Sequence, residues 1–179
     1  MPTVTLSRRL AILASALAFL GLGHKSVRGA TSGAHTGFLD LNNAVSFPTS
    51  VLNERWDIVT FEATLSTPKG DKRLQGALLK TGDDVEGIRD VRAFCTICPH
   101  EICHVEFFQE TERFRAISDA VSGQPLFVCP CHFSVFDPIA EGEAIGGPAP
   151  RGLYAFAFEV TDNEIRVTGI EAGVLELLS

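Results

Sequence analysis

Two short stretches of this 179-residue chain concentrate its sulfur and much of its imidazole: CTICPHEIC, from Cys95 to Cys103, and CPCHFS, from Cys129 to Ser134. All five cysteines and two of the five histidines lie in them. Cys98 and His100 stand two positions apart on the first stretch, and Cys129 and His132 three apart on the second. Each stretch therefore offers one thiolate and one imidazole at metal-ligand spacing. Such a set suits one tetrahedral zinc, or a two-iron cluster with thiolates on one iron and imidazoles on the other. Cys103 and Cys131 each sit just beyond a candidate ligand, one per stretch. Joined as a disulfide, they would clamp two loops over a shared site. A cluster near solvent has more use for such a staple than a closed zinc site, because its loops must stay rigid while its charge changes.

Most of the remaining chain reads as short β-like runs. WDIVTFEATL, LQGALLK and VRAFCTI lead into the first cysteine stretch, and CHVEFF, RFRAIS and PLFVCP lie between the two. GLYAFAFEV and EIRVTGI follow them, joined by a hairpin turn at Thr161–Glu164. Tyr154, Phe156, Phe158 and Val160 alternate with smaller or polar neighbours, the pattern of one buried strand face. No long amphipathic helix is expected after residue 50. The chain predicts an antiparallel all-β domain with the cysteine stretches in loops at strand ends. Core packing accounts for Phe107, Phe108, Phe156 and Phe158, and His24, His35 and His104 read as surface histidines without partners at ligand spacing.

The paired motifs resemble those of the Rieske iron–sulfur family, in the disulfide-containing branch that includes the Rieske subunits of arsenite oxidase and cytochrome bc-type complexes. That motif is Cys-x-His-x-x-Cys followed by Cys-x-Cys-His, and CPHEIC and CPCH match it position for position. The resemblance implies a β-sandwich or barrel with a small cluster-binding subdomain, here about residues 94–150. It implies one [2Fe–2S] cluster, with Cys98 and Cys129 on one iron, His100 and His132 on the other, and a Cys103–Cys131 disulfide. It also implies a hydrogen bond from Ser134 to a bridging sulfide, and a proline loop at Gly146–Pro150 covering one side of the cluster. Cys95, left over from this set, is expected to be a buried free thiol on the incoming strand. An all-cysteine oxidised cluster has formal charge −2, and two neutral imidazoles in place of thiolates bring it to 0. Such a centre takes an electron at roughly −150 to +300 mV instead of about −400 mV. The expected role is one-electron relay within an oxidoreductase, without catalysis by this chain alone.

This sequence departs from the family pattern at several places. Twenty-eight residues separate His100 from Cys129, more than is usual, and the surplus reads as an extended hairpin. Phe136 stands where the family often has a tyrosine that donates to a ligand sulfur, and Phe133 where a glycine is usual. Glu101 replaces the leucine that usually follows the first histidine in quinol-oxidising complexes.

At the N-terminus, Arg8-Arg9 precedes an apolar run from Leu10 to Gly23 and small residues at Ser32–Ala34. Residues 1–34 are expected to be a twin-arginine export signal cut after Ala34, with an ordinary secretory signal or an uncleaved membrane anchor as the alternatives. Residues 35–50 read as a linker and 51–179 as the domain. The whole chain carries a net charge of −7, and without residues 1–34 it has 11 basic against 22 acidic side chains. So acidic a domain would repel nucleic acid, and its expected partner is a protein with a basic docking face, either a larger oxidoreductase subunit or a cytochrome. The leading reading is an exported, periplasmic electron-transfer subunit. The alternatives are the Rieske subunit of a quinol–cytochrome c oxidoreductase, a cytoplasmic ferredoxin or oxygenase component, and a zinc-stabilised binding module without redox activity.

Overall fold

A computed structural model describes residues 37–82 and 90–179, together with the backbone of 27–29. The proposed signal sequence falls almost wholly outside these residues, as do His24 and His35. Among the described residues, eleven strands form three antiparallel sheets. They are β1 (Val27–Gly29), β2 (Phe38–Pro48), β3 (Ile58–Thr67), β4 (Gly70–Lys80), β5 (Val91–Cys95), β6 (Glu106–Phe108), β7 (Leu126–Val128), β8 (Val135–Asp137), β9 (Glu143–Gly146), β10 (Phe156–Val160) and β11 (Glu164–Glu171). One short helix, α1 (Val174–Leu178), follows. The sheets run β1-β10-β11-β2, β3-β4-β5 and β6-β7-β8-β9. Among the described residues no helix is long and apolar enough to cross a membrane.

The middle sheet is a wall shared by two cores. Successive side chains of a strand point to opposite faces, and β4 and β5 are apolar on both. Leu74 and Leu78 of β4, with Val91, Ala93 and Cys95 of β5, face the first core against Phe156, Phe158, Ile165 and Val167. Ala77, Leu79 and Phe94 face the second core, where they meet Phe127, Phe136, Cys98 and Cys129. A smaller third core packs Phe114 and Val121 onto Leu126, Val128 and Val135. A bridge from Phe94 to Ala155 and the Cys95 N–H donated to the Tyr154 carbonyl (2.8 Å) tie the middle sheet to the first.

The expected turn at Thr161–Glu164 joins β10 to β11, closed by the Thr161 N–H on the Glu164 carbonyl. Tyr154, Phe156 and Phe158 are buried, as the alternation predicted, and Val160 is half-buried. Two readings need correction. Residues 38–48 are not linker but the 11-residue strand β2, paired along β11 from Phe38↔Glu171 to Pro48↔Glu164. A register shift opposite Val167 and Gly169 throws Asn42, Asn43 and Ala44 out to solvent. That bulge breaks the period-2 signal, and the strand lies at the sheet edge, where polar residues are tolerated. RFRAIS is not a strand either. Glu112–Ala116 forms a 3₁₀ helix within the connection from β6 to β7. Its helical spacing buries Phe114 and leaves both arginines in water. In addition, β1 lies inside the stretch read as export signal and pairs with β10 through Val27↔Val160 and Gly29↔Phe158.

Gly76 of β4 is where the first core is tightest. A Cβ there would lie 2.4 Å from the Phe61 ring and 2.8 Å from that of Phe156, two rings that meet edge-on with centroids 5.0 Å apart. Gly76→Val therefore overpacks a filled site, and a loss of about 1–3 kcal/mol is expected. Urea unfolding should show it as a lower midpoint with an unchanged slope.

Candidate metal centre

The first loop leaves β5 and returns to β6. The Val105 N–H on the Thr96 carbonyl (2.8 Å), an Ile97–His104 bridge and the Cys98 N–H on the Cys103 carbonyl (2.8 Å) close its stem, so residues 98–103 project as a tight tip. The second loop joins β7 to β8. Its ends are held by the Cys129 N–H on the Ser134 carbonyl (2.8 Å) and the Phe133 N–H on the Cys129 carbonyl (2.9 Å). Pairing of β6 with β7 sets the two loops side by side, and a Cys103–Cys131 disulfide joins them. This is the pairing that the resemblance implied.

The structure sets Cys98 beside Cys129 and His100 beside His132, on the two loops that the disulfide ties. Cys98 and Cys129 are 1% exposed and sit at the top of the second core. Burial pushes the Cys98 thiol up, backbone hydrogen bonding from His100 and Glu101 pulls it back, and the neighbouring Cys129 raises it again. The His100 and His132 rings stand edge to face outside them, with centroids 4.9 Å apart. The sulfurs of Cys103, Cys129 and Cys131 lie within 4.8 Å of one another, and so do donor atoms of His100, Glu101 and His132. Glu101 Oε2 is 3.7 Å from His132 Nδ1. Two sulfur donors inside and two imidazoles toward solvent form a donor set that can hold a two-iron cluster.

A third loop braces the second. Gly147 has φ +81°, and a Cβ on it would come within 2.5 Å of the Phe133 carbonyl oxygen and the Ser134 Cα. Here glycine is required by both conformation and space. The Ala149 N–H donates to the buried Ser134 Oγ at 3.1 Å, which leaves the hydroxyl proton free to be donated elsewhere. Phe136 is fully buried in the same core as Cys98 and Cys129. Cys95 points the other way. Two strand positions of opposite parity put Phe94 in the second core and Cys95 in the first, and burial raises the Cys95 thiol to about 12. It is a protonated, inert side chain at neutral pH.

A profile of the family described as "Rieske [2Fe-2S] domain" matches residues 72–157. This chain contains a Rieske domain. It carries one [2Fe–2S] cluster of the Rieske type, which removes the zinc module from consideration. The cytochrome b6-f complex iron-sulfur subunit of Synechococcus sp. is 34% identical over 128 residues, covering 67% of this chain and 62% of that protein. The subunit of the same name from Prochlorococcus marinus is 30% identical with the same coverage. Thus the chain spans less than two thirds of the length of these relatives. The soluble domain of Rieske protein II from Sulfolobus acidocaldarius aligns over 62% of this chain and 67% of its own, with a TM-score of 0.43 and 16% identity.

One residue at the Rieske tip, Ile102, escaped the sequence reading, and Phe133 was marked there only as standing in place of a glycine. Ile102 is 71% exposed beside Glu101, and Phe133 is 55% exposed beside His132. No periodicity marks an apolar side chain that a tight loop turns outward. Phe133 has φ +57°, the left-handed region where glycine is the usual occupant.

The disulfide closes a ring across 28 positions of sequence. Chain entropy assigns such a closure about 3–4 kcal/mol, and in this Rieske domain the loss should fall on the loops. Replacing Cys103 and Cys131 together by alanine should speed amide hydrogen exchange at Cys98, Cys129 and Phe133 while leaving β3, β4 and β10 protected. A uniform acceleration would contradict this.

Proposed function

We propose that the chain is an exported one-electron carrier, the small subunit of a respiratory-type oxidoreductase, with Cys98, Cys129, His100 and His132 holding its cluster. The convergence of two buried thiols with two outward imidazoles on loops tied by a disulfide carries this reading. When bound, the cluster supplies reversible one-electron storage at high potential. The chain's own residues do the rest. Cys98 and Cys129 keep the sulfur side dry against Phe127 and Phe136. The imidazoles of His100 and His132 face the partner side, where electron and proton can leave together. Ser134, held by the Ala149 amide, keeps its hydroxyl proton available for a bridging sulfide of the bound cluster. Export supports and is supported by a cluster inserted before a folded domain crosses the membrane, and the acidic domain suits a basic docking face on the larger subunit.

A second reading, the quinol-oxidising Rieske subunit of a bc-type complex, gains from exposed Ile102 and from the names of the relatives. The Glu101 carboxylate at the tip weighs against it. Identifying the subunit that co-purifies with the native protein separates the two: a larger oxidoreductase subunit favours the first, a b-type cytochrome the second.

Two measurements test the site itself. Cys98→Ser, His100→Ala, Cys129→Ser or His132→Ala should each abolish the iron and acid-labile sulfide content and the low-temperature EPR signal, while Cys95→Ser retains them. Full retention after His132→Ala would sink the assignment.

Phe136→Tyr probes the sulfur environment. A hydroxyl reaching a ligand sulfur stabilises added negative charge, and one such bond at about 1.4 kcal/mol corresponds to a rise on the order of tens of millivolts in a one-electron couple. Redox titration at fixed pH should show the rise with unaltered EPR line shape. An unchanged or lower potential would mean that Phe136 does not sit against the sulfurs.

A further inference from the structure

The connection from β6 to β7, longer than a cluster loop needs, does more than join two strands. With the second cluster loop it lines an open cavity of about 470 Å³, within the size range of small-molecule sites. Phe108 at the end of β6 and Phe114 and Ile117 of the connection line one side, and Pro130 and Phe133 of the cluster loop line the other. The one charged group among the lining residues is Arg113.

Arg113 is placed for recognition. Its guanidinium carbon lies 4.6 Å from the centroid of the Phe108 ring and 4.8 Å from that of Phe114. These cation–π contacts do not consume the guanidinium's N–H donors. Neighbouring Arg115 is paired with Glu112 at 3.0 Å, whereas Arg113 has no hydrogen bond or ion pair among the described residues. In a chain of net charge −7, an apolar cavity with one unneutralised cation is complementary to an anion. The second observation is Phe133. Its backbone holds φ +57°, and its ring is 55% exposed at the cavity mouth. A glycine would adopt that conformation without strain, so the aromatic ring is displayed there against a conformational cost.

We propose that this cavity binds an organic anion with a ring-sized apolar body. The body lies among Phe108, Phe114, Ile117 and Phe133, and the anionic group rests on the Arg113 N–H edge. The bound molecule then touches the loop that carries Cys129 and His132.

The test uses the full chain with its cluster, titrated calorimetrically with 1-naphthoate and with the neutral 1-naphthalenemethanol. Saturable binding of one naphthoate per chain is expected. Arg113→Gln should weaken naphthoate about tenfold, the loss of one charge-assisted contact, and leave the alcohol unaffected. Phe133→Gly, which keeps the backbone conformation, should weaken both probes. Arg115→Gln should change neither. The proposal is overturned if naphthoate shows no saturable binding, if Arg113→Gln leaves its affinity intact, or if Arg115→Gln matches the loss.

Discussion

Two thiols have to be buried while two imidazoles a few positions away reach solvent, and nearly every loop in the upper half of the molecule serves that requirement. Cys98 and Cys129 belong to the second core as fully as Phe127 does. His100 and His132 rise from the same tight turns. A turn that reverses within a few residues is the local solution, because it sends near neighbours to opposite sides. Neither turn can hold the shape alone. The Cys98 N–H on the Cys103 carbonyl closes one, the Cys129 N–H on the Ser134 carbonyl closes the other, and the disulfide fixes their separation.

The shared middle sheet makes this possible in a small domain. Strands β4 and β5 are covered on both faces, so a single sheet supports the sandwich on one side and the metal centre on the other. Parity along β5 then decides the fate of the odd cysteine. Cys95 follows Phe94 by one residue and is directed into the sandwich, away from its near neighbour Cys98, although CTIC alone reads as a ligand or redox pair. The Gly147 contact adds a third support, since only a residue without Cβ lets the proline loop approach Ser134 so closely.

Legibility in the sequence followed the range of the interactions concerned. The donor pairs and the disulfide cysteines lie within a few residues of one another on each loop, and the motif carried them. The strands of the sandwich announced themselves by alternation where it was unbroken, as in Phe156 and Phe158. Strand β2 was missed because a bulge at Asn42–Ala44 interrupts that alternation, and its partner β11 lies more than a hundred residues away. The segment from Glu112 to Ala116 read as a strand because its arginines and phenylalanine mimic alternation over so short a run. The cavity it builds with Pro130 and Phe133 had no signal at all, since its two walls come from different loops. Ile102 was invisible, and the exposure of Phe133 was not foreseen, for a related reason: loop geometry, not residue type, turns them outward.

The Cys103–Cys131 bond encloses the whole connection between the two cluster loops, including exposed Ser122, Gly123 and Gln124. A protease that cut the backbone there would not release a fragment. The two pieces would stay covalently one molecule, each still hydrogen-bonded into its own part of the fold. This exposed excursion of the domain can therefore be nicked, or redrawn in length over evolution, without parting the two halves of the metal centre.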